Sequence, residues 1–242
     1  MAQRAENTRA APPKQQTWLG RVVSTAFQGF FWVLAAVVFS VLTEWIGLTF
    51  FWPEQGIEHS HQMLIQELDY LGLDFTPHPL VGDAAEFAAG WADTARYWVF
   101  DRTGLTAAAD WAAGPSDGRF HRSVQVLYET VKTYLWSAWY IVQVVAVRLA
   151  VLTLAMPAFL MTAIAALADG LTLRDLRRFG SGRESGFVYH WAKRFIAPSL
   201  ILPWVIYLAL PWSVHPNFVV LPFCALFGLA VTVAASMFKK YL

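Results

Sequence analysis

Apolar residues in this chain come in long runs, not in the short alternations of a half-buried sheet. Ala26 to Trp52 carries one charge, Glu44. A run of about 20 apolar residues is long enough to cross a hydrocarbon core of about 30 Å. A first membrane span is therefore predicted within 25–52, closed by the aromatic cluster Trp45, Phe50, Phe51, Trp52 and by Pro53. From Arg119 onward Val124, Leu127, Val131, Leu135, Ala138, Val142, Val145, Leu149 and Leu152 recur at three- and four-residue spacing, which predicts one long helix over 119–168. About 20 residues counted back from Asp169 bring the apolar part to Arg148, so 119–147 is expected to project beyond the bilayer or lie in its interface. The third span is predicted over 195–212, kinked by Pro198, Pro203 and Pro211, and the fourth over 217–238.

The segments between these runs differ in character. Residues 1–24 are polar and basic and predict a disordered tail. Residues 53–133 hold no spanning run. Within 54–133, twelve acids face five bases, a net charge of −7. Two short helices are predicted there, near 56–71 and 82–99, making a compact cap rich in aromatic residues. Residues 169–194 carry six bases and three acids, a net charge of +3. Basic loops stay in the cytoplasm. The N-terminus, 169–194 and Lys239-Lys240 are thus expected inside, with the acidic cap and the 213–217 turn outside. The predicted fold is an all-α integral membrane protein of four transmembrane helices, N-in and C-in, with a helical extracytoplasmic cap and a long second helix extending out of the bilayer.

Composition agrees with that picture: 57% of residues are hydrophobic and 14% charged, against about 25% charged in a soluble domain. A net charge of +1 gives no general nucleic-acid signal, and no direct nucleic-acid binding is expected. Cys224, the single cysteine, sits in an apolar run and is expected to be a packing residue.

Candidate chemistry is sparse. Glu58, His59 and His61 offer metal-binding side chains, with His78 or His121 as a further ligand. On a helix, however, residues two apart point in different directions, so no metal site is assigned. Gly180-Ser181-Gly182-Arg183-Glu184-Ser185-Gly186 lacks the Gly-Lys-Ser/Thr ending of a phosphate loop. No nucleophile–base pair appears, and the reading is non-enzymatic, with no cofactor. Two interfacial ionisable residues, Glu44 and Arg148, fall at the same depth by independent counts and are expected to pair between the first two spans. Arg174, Arg177 and Arg178 share one helical face. With Asp175, Arg183 and Glu184 they form a mixed-charge surface suited to a cytoplasmic partner, while arginines alone serve as topology signals touching anionic lipid.

Three stretches carry a family resemblance: Glu44-Trp45-Ile46-Gly47, then Phe51-Trp52-Pro53-Glu54-Gln55-Gly56 with His59-Ser60-His61-Gln62-Met63-Leu64, then Asp169-Gly170 with Arg174 to His190. Together they resemble the integrating conjugative element membrane proteins, a bacterial family of unassigned molecular function. The resemblance covers roughly residues 20–240. It implies a non-catalytic accessory or scaffold role in conjugative DNA transfer at the bacterial inner membrane. The implied partners are the membrane-anchored coupling ATPase and inner-membrane subunits of a type IV secretion channel. Trp91, Trp98, Trp111, Trp136 and Trp139 are available as outer anchors, and equally as membrane-surface aromatics or cap core. A small-molecule transporter, pore or exclusion protein is the alternative, and self-association is left open.

Overall fold

The computed structural model describes residues 17–74, 82–115, 118–180 and 185–238. Its elements are α1 (Trp18–Phe50), α2 (Ile57–Asp74), α3 (Ala84–Arg96) running into a π-helical turn (Tyr97–Asp101), α4 (Leu105–Ala113), α5 (Arg119–Phe179), α6 (Gly186–Ala209) and α7 (Pro216–Ser236). No strand occurs among the described residues. Among the described residues, four helices are long and apolar enough to cross a membrane: those holding Gly20–Phe50, Arg119–Phe179, Gly186–Ala209 and Pro216–Ser236. Residues up to Ala35 form one compact unit and residues from Ala36 another. Within the first, Phe31 packs edge-on against Phe27 and Phe30.

The helices outrun the apolar segments that mark them. α5 continues from 168 to Phe179, and α6 begins at Gly186, not 195. Much of the predicted loop 169–194 is therefore helix. A membrane span ends where apolar side chains end, but the backbone ladder that makes a helix persists in water until a cap stops it. Ser185 supplies one such cap, accepting from the Val188 amide at 3.4 Å. His215 followed by Pro216 starts α7, with proline at a position whose N–H needs no partner. α3 is capped by Asp83, which accepts from the Ala85 amide at 2.8 Å. α4 was not predicted: its Ala-rich sequence gives only a weak apolar period.

α5 is the strut. Pro157 lies inside it, leaving the Thr153 carbonyl without its helical donor, yet the helix continues. One half of α5 packs on the α6–α7 hairpin, and the other half is flanked by α2, α3 and α4. The larger apolar core joins Met63 and Leu71 of α2, Ala84, Ala88 and Ala92 of α3, Ile141 to Leu152 of α5, and Tyr207 and Leu208 of α6. The alanines of α3 recur every fourth residue, which lets that helix lie close against α5. Along the α5–α7 seam, a Cβ on Gly170 would lie 2.6 Å from the Ala235 Cβ and 2.7 Å from the Thr232 carbonyl. Beside it the Thr232 hydroxyl donates to the Ala166 carbonyl at 3.2 Å. Cys224 is buried in this seam, 3.0 Å from the Thr162 hydroxyl.

Candidate functional site

Ionisable side chains gather where α2, α5 and the end of α6 meet. Arg148 is 1% exposed and Glu67 is fully buried. The guanidinium donates through Nε at 2.9 Å to Glu67 Oε1, and Nη2 lies 2.8 Å from the same oxygen. It also donates to the Leu210 carbonyl at 2.6 Å and the Trp212 carbonyl at 2.8 Å. These carbonyls lie at and beyond the C-terminus of α6, where orphan acceptors and the negative end of the helix dipole favour a cation. Glu67 Oε2 accepts from the Tyr207 hydroxyl at 2.6 Å. The Tyr207 ring lies under the guanidinium at 5.3 Å. Both charges thus have partners, the condition under which a buried ion pair is tolerated.

Glu44 of α1 enters the same region from the side. It is 1% exposed. Its Oε1 accepts from the Ser60 hydroxyl at 2.7 Å and lies 3.0 Å from His59 Nδ1. The His59 ring stacks on Trp52 at 4.2 Å. Trp52 folds back over Gly47, where a Cβ would lie 1.9 Å from the indole. The predicted ion pair Glu44–Arg148 is therefore corrected to two pairs, Glu44 with His59 and Arg148 with Glu67. Equal depth brought both residues to one neighbourhood, and both line a small cavity with room for about one water. The partners were decided by α2, which inserts Ser60, Met63 and Glu67 beside them. Glu67 was missed at the sequence level. Its signal was position: Ser60, Met63, Glu67 and Leu71 fall on one helical face, so an acid there points inward with the apolar residues.

His61 does not join His59. It is half-buried and lies beside Glu58 and the Tyr140 ring. His121 lies against Trp111, and His78 is outside the described residues. Among the described residues, no three His, Cys, Asp or Glu side chains form a metal group.

At the other end of the bundle, the basic face divides. Arg177 donates to the Ser236 carbonyl at 2.9 Å and reaches the Met237 sulfur, capping the end of α7. Arg174 contacts Asp175 at 3.3 Å, and Asp175 and Arg178 are exposed. Arg183 and Glu184 lie outside the described residues. Of the aromatic candidates, Trp136 and Trp139 of α5 are half-buried. Trp98 and Trp111 are 60% and 50% exposed.

A family model described as IncC plasmid conjugative DNA transfer protein DtrJ-like matches residues 51–239. The chain belongs to this DtrJ-like family. The match takes in Trp52, His59, Ser60, Glu67, Arg148, Arg177 and Tyr207, and it agrees with the resemblance to conjugation membrane proteins seen in the motifs. Those motifs now have a structural reason. Gly47, Trp52, His59 and Ser60 converge on Glu44, and Gly170 and Arg177 hold α7. No curated protein and no solved structure matches the chain.

Proposed function

We propose that this DtrJ-like protein is a non-enzymatic inner-membrane scaffold of a conjugative DNA-transfer machine, held in the bilayer N-in and C-in and docked to the membrane-anchored coupling ATPase. Membership of a conjugative DNA transfer family carries the reading. The spacing of the two helix-capping arginines supports the placement. Arg148 and Arg177 are 29 residues apart on α5, about 44 Å of helix, close to the 40–45 Å of a bilayer with its headgroups. The stretch between them up to Ala168 is free of charge. Each arginine thus sits at headgroup level, with the acidic cap beyond Arg148 and the basic end beyond Asp169.

The docking face is Arg174, Asp175 and Arg178; Arg183 and Glu184, expected beside them from the sequence, lie outside the described residues. Arg177 supports it from behind by fastening α7. The test is the double charge reversal Arg174→Glu and Arg178→Glu, leaving Arg177 intact. Co-purification of the coupling ATPase from cells carrying the whole element, and transfer to recipients, are expected to fall at unchanged membrane abundance. Retention of both would overturn docking through this face.

A further inference from the structure

The outer half of α5 ends in an apolar stripe that the cap leaves bare. Phe120, Leu127 and Val131 are 76%, 62% and 41% exposed, and Val124 between them is half-buried. Farther along α5, Leu135, Trp136 and Trp139 are covered by Phe100, Leu105 and Ala109 of the cap. The stripe is spaced four, three, four: one seam of a heptad repeat, with Val124 and Val131 at a and Phe120 and Leu127 at d. Valine at a with leucine at d favours a parallel two-stranded coil. The flanking e and g positions are His121, Tyr128, Ser123 and Thr130, without formal charge. The charged Arg119, Arg122, Glu129 and Lys132 lie elsewhere on the helix. A copy laid against its twin therefore meets no like charge across the seam.

The orientation in the bilayer that the functional reading assigns supplies the rest, and the inference rests on it. Val131 and Phe120 lie about 26 and 42 Å along the helix from Arg148, beyond the headgroup zone, so lipid is not the occupant. Every copy inserted the same way presents the stripe at the same height and in the same direction. We propose that residues 120–131 pair two copies of this chain as a short parallel coiled coil outside the membrane. Two heptads bury far less than the roughly 1,200 Å² of a stable soluble interface. Confinement to one membrane raises the effective concentration enough for a short seam to act.

Single-cysteine variants test this in native membranes, on a Cys224→Ala background. Leu127→Cys and Val131→Cys place the thiol in the seam, and Gln125→Cys and Glu129→Cys place it off the seam. Under mild oxidation, disulfide-linked dimer is expected to be about tenfold more abundant for the seam pair, since only a and d positions face each other. A membrane-impermeant maleimide applied to Glu129→Cys in spheroplasts reads the orientation separately. Labelling without seam-selective dimer overturns the pairing and leaves the orientation standing. Labelling only after lysis overturns the orientation and the pairing with it. A crosslinked product with the mass of a different protein assigns the stripe to that partner and also overturns self-pairing.

Discussion

Arg148 does the work of several residues. Its guanidinium bridges a carboxylate on α2 to carbonyls at the end of α6. Lysine, with one nitrogen and no fork, cannot serve Glu67, Leu210 and Trp212 together. Arg148→Ala is expected to destabilise the protein by about 3–5 kcal/mol, because it strands Glu67 as a buried unpaired charge. Replacing Arg148 and Glu67 together by methionine is expected to lose less than Arg148→Ala alone. Thermal unfolding in detergent of both variants measures this, and equal or larger losses in the double variant would show that the ion pair is not the unit of stability.

At the level of elements, α5 is joined to its neighbours in three ways. Alanines let α3 lie close, side-chain hydrogen bonds tie its arginines to the ends of α6 and α7, and small residues bring α7 near. The last depends on Gly170, where any side chain meets the backbone of α7, which cannot swing aside. Gly170→Leu is expected to lower stability by about 1–3 kcal/mol, the usual penalty for overpacking. Thr172→Ala, on an exposed position of the same turn, is expected to change it by less than about 0.5 kcal/mol. Melting temperatures of the two variants decide the matter. Equal shifts would mean that the α5–α7 seam tolerates a side chain at Gly170.

For the whole chain, charge follows the helices: acids gather in α2, α3 and α4, and Arg174, Arg177 and Arg178 in the last turns of α5. In the orientation proposed, Asp110→Cys in α4 is expected to react with an impermeant maleimide in spheroplasts, and Arg178→Cys only after the membrane is broken. The reverse pattern, or both sites reacting from outside, would overturn N-in and C-in.

Much of this was already legible along the chain, because membrane spans announce themselves by unbroken apolarity and α5 by an apolar period sustained to Leu152. The sequence by itself determined the all-helical class, the four candidate spans and, through long motifs, a link to conjugation. Helix ends were less legible, since caps such as Ser185 act on backbone groups that composition does not register. α4 escaped notice because alanine suits many contexts. What only the tertiary structure decided was partnership. Depth counting brought Glu44 and Arg148 to one level, but a third helix inserted Glu67, Ser60 and His59 between the alternatives. Arg177, legible as one of three like charges, became a cap for α7. One-dimensional spacing locates a residue along its own helix. Which charge it meets depends on how separate helices are rotated and stacked, and burial enforces that choice because an unpaired ion there is too unfavourable to keep.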